Sequence, residues 1–176
     1  MQETRNKKSI YVVYSPSGKT EKTAELIRQT ILLDGETVFV PKIERLKKIH
    51  GYLRLETRDL FPGYLFIETS DPEALGKRLA ESAKYRADYV KLLKNDNLVM
   101  PLLPDEERWY RQIANDSHVI EMSFGRVEDG HVTVTSGPLK GMEDQIVHVN
   151  RHKRIAVVRA MFLGEEKEVV LGLECP

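Results

Sequence analysis

The sequence predicts an α+β protein made of two parts. Up to about residue 116, strand-like apolar runs alternate with segments in which apolar residues recur at helical spacing. From Gly130 onward, short β-branched runs alternate with Gly and Pro turns, and no helical spacing occurs. A polar, mixed segment separates these two patterns. We therefore expect an N-terminal domain at 1–116, a linker at 117–128 and a C-terminal domain at 129–176.

Composition limits the functional classes. The 176 residues carry 27 Lys and Arg against 27 Asp and Glu, so the net charge is zero. Residues 1–60 nevertheless carry 12 Lys and Arg against 8 Asp and Glu, a net +4. Any nucleic-acid binding must therefore come from local clusters rather than from bulk charge. The single cysteine, Cys175, excludes an intramolecular disulfide framework, and the absence of a signal peptide or a long apolar run predicts a cytoplasmic location and no membrane contact.

The strands of the N-terminal part follow from β-rich apolar runs. Ser9 to Tyr14 is β-branched and aromatic, and Thr37 to Val40 is a similar run that ends at Pro41. Further strands are predicted at 64–70, 89–93 and 98–101.

The helices follow from apolar spacing and from capping residues. The first begins after the turn at residues 15–18, with Ser17 or Thr20 as its cap. The second begins with Asp71 as N-cap and Pro72 at the first helical position, and the third opens at Pro104 with acidic residues in its first turn. The order β-α-β-β-α-β with one extra helix is the ferredoxin-like arrangement, which predicts an antiparallel sheet with helices on one face.

A bend lies in the apolar segment Leu60 to Ile67. Pro62 fixes φ and Gly63 permits a positive φ, so this pair turns the chain just before a strand that we expect to be buried on both faces. Leu60 and Phe61 lack a clear period and are free to turn outward. The segment is therefore either the central strand of a sheet alone or also an aromatic protein-contact element.

Residues 42–59 are rich in Lys and Arg, with scattered apolar residues and a turn signal at Gly51. The pattern predicts a protruding hairpin or loop between strands. Such a protrusion either contacts nucleic-acid phosphates or is simply a solvated surface loop.

The C-terminal part contains four or five short strands and no helix in fewer than 50 residues, which predicts a small barrel. Its strands begin at Val132, Ile146, Ile155 and Lys167, and the turn at 150–154 is strongly basic.

Two motifs resemble segments of one protein family. Residues 60–66 (LFPGYLF) resemble the FFPGY segment of the N-terminal NGN domain of NusG-type transcription elongation factors. Residues 132–142 resemble the KOW motif of the same family, with matches at Val132, Val134, Gly137, Pro138 and Gly141. The resemblance extends over about residues 9–174 in the family's domain order, and it implies that the barrel is an SH3-like KOW barrel.

The resemblance implies a set of partners. The family's NGN domain binds the clamp helices of the largest subunit of RNA polymerase, bridges the DNA-binding cleft and suppresses pausing. The matching contact residues are Tyr14, Pro16, Phe61, Pro62 and Tyr64. The nontemplate DNA strand is a further candidate partner, and we expect the protein to be a monomer.

The basic turn makes the chain look most like the LoaP-type antiterminators, which are specialised NusG paralogues that load at particular operons by recognising nascent RNA. Cations that surround a polar strand end suit an RNA hairpin. The alternatives are a solvated turn that balances nearby acidic residues, and a general NusG-type factor with no RNA target of its own. The predicted RNA-binding residues are Lys140, His148, Asn150, Arg151, His152, Lys153, Arg154, Arg54 and Arg58.

A departure from the family lies in the last barrel loop. The family's aromatic contact to a ribosomal protein would match Phe162, but one residue is inserted after it, and Glu165 and Glu166 stand where the family commonly has a basic or small residue. These differences argue against coupling to the ribosome.

The sequence also argues against catalysis. The five histidines lack metal-ligand spacing, and Cys175 has no flanking histidine to activate it. Adjacent glutamates such as Glu106 and Glu107 point to different faces and do not form a general acid–base pair. We expect no enzyme, no metal and no cofactor.

Overall fold

The structure is a computed structural model that describes residues 7–15, 18–83 and 99–176. The chain divides into two compact units, one formed by residues 1–40 and 61–102 and the other by residues 41–60 and 103–176. Within the described ranges, no helix is long and apolar enough to cross a membrane.

The described residues of the first unit form a four-stranded antiparallel sheet and two helices. The strand order is β2-β5-β1-β6, which is the order of a ferredoxin-like fold and confirms the predicted fold class. Its elements are β1 (Ser9–Tyr14), α1 (Thr20–Thr30), β2 (Thr37–Phe39), β5 (Tyr64–Thr69), α2 (Pro72–Ala83) and β6 (Met100–Pro101).

Both helices of this unit pack on one face of the sheet. Leu65 and Ile67 of β5 point to that face, while Phe66 between them points to the other face, and all three are fully buried. This confirms that the strand after the Pro62-Gly63 bend is buried on both faces. The helix-side core consists of Val13, Ala24, Ile27, Ile31, Val38, Val40, Leu65, Ile67, Leu75 and Leu79.

Helix α2 begins as the sequence predicts. The Oδ1 atom of Asp71 accepts a hydrogen bond from the Ala74 backbone N–H at 3.0 Å, and Pro72 is the first helical residue. The predicted strand at 89–93, together with Pro16 and Ser17, lies outside the described residues.

The second unit combines two sheets with one α-helix and a short 3-10 helix at Glu143–Gln145. A three-stranded sheet has the order β4-β3-β7, and a five-stranded sheet has the order β10-β11-β12-β8-β9. The elements are β3 (Lys42–Ile49), β4 (Tyr52–Asp59), α3 (Pro104–Ile113), β7 (Val119–Ile120), β8 (Ser123–Glu128), β9 (His131–Ser136), β10 (Ile146–Asn150), β11 (Ile155–Phe162) and β12 (Glu165–Glu174).

The basic segment 42–59 forms the hairpin β3–β4. Ile49 pairs with Tyr52 across a two-residue loop in which His50 and Gly51 have φ of 50° and 87°. Positive φ at both loop residues is the geometry of a type I′ turn, which matches the twist of the flanking strands.

The segment predicted as a linker carries strand structure. β7 pairs in parallel with β3, and β8 joins β12 and β9. Ile120 and Ser123 are buried, so this segment is part of the second unit. The polar residues of this segment gave no sign of strands in the sequence, because alternate residues of a half-buried strand face solvent. The sequence-based domain boundaries stay a prediction, since a domain is defined by independent folding as well as by packing.

The hairpin and the five-stranded sheet are packed closely together. The Met122 N–H donates to Oε2 of Glu44 at 3.0 Å. A Cβ atom at Gly172 would lie 2.6 Å from the Glu44 backbone oxygen and 2.2 Å from the Met122 sulfur. Only glycine therefore fits where β12 passes β3.

Helix α3 packs in the same unit. Tyr110 and Ile113 are buried, and the indole N–H of Trp109 donates to Gln145 at 3.2 Å.

Candidate protein-binding and nucleic-acid surfaces

The Pro62-Gly63 bend is held against the end of β1. Gly63 has φ of 88°, and its carbonyl oxygen accepts from the Ser15 N–H at 2.7 Å. A Cβ atom at Gly63 would lie 3.1 Å from the Ser15 oxygen and 3.2 Å from the Tyr14 ring. The bend therefore needs glycine both for its backbone conformation and for its close approach to β1.

Two tyrosines meet beside this bend. Tyr14 and Tyr64 are directly paired across β1 and β5, and their ring centroids lie 5.4 Å apart in an edge-to-face arrangement. Both side chains are partly exposed, and Pro62 is exposed. These three residues form what we call the tyrosine corner. Pro16, predicted to belong with them, lies outside the described residues.

Phe61 differs from the other predicted polymerase contacts. It is 8% exposed and stacks on Phe66 with ring centroids 6.3 Å apart. Leu60 is also buried, so neither residue turns outward. The Phe61 carbonyl oxygen accepts a hydrogen bond from the Tyr64 N–H at 3.1 Å, so its backbone helps to close the bend. The role of Phe61 as a polymerase contact stays a prediction.

The two faces of the hairpin β3–β4 differ in charge. Residues opposite each other in an antiparallel pair project to the same face. The register pairs Arg45 with Glu56, Lys47 with Arg54, and Ile43 with Arg58. We call the surface formed by Arg45, Lys47, Arg54 and Arg58 the arginine face.

The arginine face holds a poorly satisfied cation. The buried Nε atom of Arg45 has no hydrogen-bond partner among the described residues. Burial and the charge of Arg58 lower the pKa of Arg45, while Glu56 opposes them. Glu56 pairs with Arg58 at 2.6 Å. The predicted RNA contacts Arg54 and Arg58 therefore share one face, which also carries Tyr52 at 75% exposure.

The basic turn between β10 and β11 has a fixed backbone. The Lys153 N–H donates to Oδ1 of Asn150 at 2.9 Å, and Arg154 has φ of 53°. The Asn150 side-chain oxygen therefore shapes the turn rather than pointing away from it. His152 and Lys153 are exposed and make no side-chain hydrogen bond or ion pair within the described parts of the chain.

Two arginines of this turn are already engaged. Arg151 donates from Nε to the Cys175 carbonyl oxygen at 3.3 Å and from a terminal nitrogen to the Pro176 backbone oxygen. Arg154 pairs with Glu174 at 3.3 Å, with both side chains about a quarter exposed. Arg151 has no acidic side-chain partner here and is oriented by the C-terminal segment, whereas the charge of Arg154 is largely offset.

The matched KOW-motif residues build the turn after β9. A Cβ atom at Gly137 would lie 2.6 Å from the Ser123 Cα atom, so glycine is required there. In the strand before the turn, Val134 is buried and Val132 is half-buried. In the turn itself, Pro138 is half-buried and Gly141 has a φ of 82°. These positions are structural, and the predicted RNA contact Lys140 is exposed between them.

The turn between β11 and β12 is also fixed. Phe162 is 1% exposed, and the Gly164 N–H donates to Oε1 of Glu106 at 2.7 Å. Glu165 and Glu166 are exposed. In this structure the aromatic matched to a ribosomal contact is therefore part of the core.

A cavity of about 540 Å³ joins the hairpin to the basic turn. We call it the basic cavity. The sequence did not indicate Lys48 as a site residue. Strand alternation shows which face of the hairpin Lys48 is on, but not that it lies near a turn about 100 residues later in the chain. The cavity is lined by Lys48, Arg151, His152, Arg154, Cys175 and Pro176.

A second cavity of about 620 Å³ lies along β9 and β10. Arg151 lines both cavities, while His131 and His148 line only this one. Glu143 and Asp144 also line it, so it is less suited to an anion than the basic cavity. His148 is exposed, and the structure separates it from the Lys48 side of the turn.

Comparisons with known proteins agree with this architecture. A solved structure described as "Domain interaction in Thermotoga maritima NusG" has the same fold, with a TM-score of 0.53 and 20% identity over 94% of each chain. Its match to both parts is consistent with a helix-containing NGN domain and a curled β domain of the KOW type. No curated protein matches the chain.

A family model that covers more than half of the chain gives the class of protein, which is a transcription factor. The model of the family described as "Transcription termination factor nusG" matches residues 8–111. Because this match spans more than half of the chain, the chain belongs to the NusG family.

Proposed function

We propose that this protein is a transcription elongation and processive antitermination factor that binds RNA polymerase and is recruited by nascent RNA. The observation that carries the proposal is membership of the NusG family over residues 8–111, a segment that includes the tyrosine corner. The factor acts by position, without catalysis.

The tyrosine corner is the proposed contact with the clamp helices of the polymerase's largest subunit. Tyr14, Pro62 and Tyr64 present partly exposed apolar surface on a rigid bend. Rigid aromatic residues that enter a partner's groove are typical interface hot spots. Phe61 contributes by holding this surface in place, since its own ring is buried.

The basic turn is the proposed RNA contact. Lys153 and His152 are exposed, and Arg151 is held in a fixed orientation by backbone oxygens. An oriented guanidinium binds a phosphate at a lower entropic cost than a freely rotating one. Bound RNA would keep the factor close to the polymerase that made it and so raise its effective concentration at one operon.

The arginine face is a separate cationic surface. Arg54 and Arg58 remain candidates for contact with RNA or with the nontemplate DNA strand. Their position opposite Lys48 on the hairpin implies that they serve a different stretch of nucleic acid from the one at the basic turn.

We further propose that the KOW barrel is not a freely moving tether in this protein. The Thermotoga maritima NusG structure is described as one of domain interaction in that protein. Here the bonds from Met122 to Glu44 and from Gly164 to Glu106 support packing of the barrel on the hairpin and α3.

A general NusG-type factor without a specific RNA target is the second candidate. Two of the basic-turn arginines favour it, because Arg151 and Arg154 already bind groups within the protein. On this alternative the turn has a structural role, and the protein couples polymerase to other proteins.

Single-round transcription through an intrinsic terminator separates the two candidates. The template is made with and without the RNA leader encoded upstream of this protein's own transcription unit. We expect read-through that depends on the leader. Equal read-through on both templates would favour the general factor, and no effect on elongation or read-through on either would contradict the proposed function.

A further inference from the structure

Two adjacent lysines of the hairpin β3–β4 project from its opposite faces. Lys47 pairs with Arg54 on the arginine face, whereas Lys48 pairs with Leu53 on the other face. Lys48 is part of the wall of the basic cavity, and Lys47 is not. The hairpin therefore adds one defined cation to the barrel turn rather than a diffuse positive charge.

The basic cavity has a positive charge that acidic side chains in its walls do not neutralise. Lys48 is exposed and makes no hydrogen bond or ion pair within residues 7–15, 18–83 and 99–176. Arg151 bonds to backbone oxygens of Cys175 and Pro176, which orient the guanidinium. Only Arg154 has an acidic side chain, Glu174, as partner. Among the described residues that line the cavity there is no Asp or Glu.

The shape of the cavity favours a ligand shared between two elements. Its volume of about 540 Å³ lies within the range of ligand-binding clefts, and the cavity is open to solvent. One wall is a strand of the hairpin and the other is the turn that follows β10. Arg151 is fixed, while the long side chain of Lys48 can adjust, and such a pair suits an anion with several oxygens.

We propose that Lys48 and Arg151 together bind one phosphate group of the RNA backbone, so that the RNA site is shared by the hairpin and the barrel turn. This inference rests on the proposed RNA binding and assigns to it a residue from a different element. A phosphate contact positions the RNA without reading its sequence. The neighbouring exposed residues His152 and Lys153 then extend the contact along the strand.

The test compares Lys48→Ala with Lys47→Ala, which remove the same charge from adjacent positions on opposite faces. The probe is a fluorescein-labelled RNA stem-loop, followed by anisotropy between about 50 and 200 mM KCl, because backbone contacts are independent of sequence and strongly salt-dependent. Both lysines are exposed, so both variants should melt like the unmodified protein.

We expect Lys48→Ala to weaken binding roughly tenfold at the lowest salt and to reduce the slope of log K against log salt by about 0.7 to 0.9, as one lost phosphate contact requires. Lys47→Ala, whose charge lies on the arginine face, should weaken binding clearly less than Lys48→Ala does. The neutral control is Lys22→Ala, which removes an exposed charge from helix α1, outside both cationic surfaces, and should stay within about twofold of the unmodified protein. Lys48→Arg should retain most of the affinity. Loss of binding in Lys47→Ala but not in Lys48→Ala would overturn the inference in favour of the arginine face.

A triple Ala variant of Arg151, Lys153 and Arg154 distinguishes failure of this inference from failure of the proposed function. If the triple variant loses binding while Lys48→Ala does not, the barrel turn binds RNA without the hairpin and the inference is wrong. If the unmodified protein binds no stem-loop even at about 50 mM KCl, both the inference and the proposed RNA recruitment are wrong.

Discussion

Gly63 shows how one residue fixes the tyrosine corner. Its positive φ alone would cost another residue roughly 1–2 kcal/mol. A Cβ atom would also approach the Ser15 oxygen and the Tyr14 ring, so the whole bend would have to shift. Both the backbone conformation and the close packing therefore require glycine at this position. A substitution there would displace the residues proposed to contact polymerase.

We predict that Gly63→Ala lowers the free energy of unfolding by about 1 kcal/mol more than Gly18→Ala does. Gly18 has a similar φ of 81°, but no atom of the described residues lies within 4 Å of the position that a Cβ would take, so the difference isolates the close approach. Urea denaturation of both variants measures it. Equal losses of stability would show that the contact with β1 does not constrain Gly63.

A mostly buried carboxylate, with about a tenth of its side chain exposed, joins three parts of the first unit. Glu36, in the loop before β2, accepts hydrogen bonds from Arg78 of α2 at 2.6 and 2.8 Å and from Thr69 of β5 at 2.8 Å. Burial alone would raise the pKa of Glu36, but the bonds from Leu33, Thr69 and Arg78 outweigh it and hold the pKa below its ordinary value of 4.5.

Because the folded-state pKa of Glu36 is depressed, its contribution to stability is present above about pH 4.5 and is lost as pH falls through the folded pKa. We predict that Glu36→Gln lowers the free energy of unfolding by about 2 kcal/mol at neutral pH, since it leaves Arg78 without its charge partner. At about pH 3 the variant and the unmodified protein should differ much less. A difference independent of pH, in urea denaturation at both values, would contradict this role.

A second buried carboxylate fixes α3 to the β11–β12 turn. Glu106 is 3% exposed, and its two oxygens accept from the Leu103 and Gly164 backbone N–H groups at 2.9 and 2.7 Å. The first bond caps the helix and the second joins it to the barrel. One side chain therefore couples helix initiation to the packing of the second unit.

We predict that Glu106→Gln lowers the free energy of unfolding by about 1–3 kcal/mol, because an amide retains only one acceptor oxygen and leaves one backbone donor unsatisfied. Amide hydrogen exchange should speed up at Leu103 or Gly164. Asp105→Asn is the matched control, since Asp105 is exposed and its ion-pair partner in the described part of the chain is the exposed Arg108. If the two variants were equally stable, Glu106 would not couple α3 to the barrel.

Across the chain, local sequence patterns predicted the helices and strands better than they predicted how these elements pack together. The strand at Ser9–Tyr14, the Asp71 cap and the β strands of the barrel follow from local patterns and are confirmed. The segment at 117–128 was predicted as a linker but carries strands, because alternation in a half-buried strand resembles polar irregular chain.

The candidate site was predictable only in part. The basic turn was visible as a run of cations, and the bend as a Pro-Gly pair. The burial of Phe61 and the position of Lys48 depend on tertiary packing that no local pattern encodes. The roles of these residues in binding stay predictions.

The most direct test of this account is binding to polymerase through the tyrosine corner. We would measure the affinity of the full chain for an isolated fragment containing the clamp helices of the polymerase's largest subunit. Tyr64→Ala and Tyr64→Phe would be measured beside it. Phe61→Ala is a poorer probe, because truncating a buried, stacked ring costs about 3 kcal/mol or more of stability.

We predict that the unmodified protein binds the fragment, that Tyr64→Phe binds nearly as well, and that Tyr64→Ala weakens binding by more than about tenfold with its thermal melt largely retained. No binding by the unmodified protein, or equal binding by Tyr64→Ala, would contradict the proposal that the tyrosine corner attaches this NusG-family protein to polymerase.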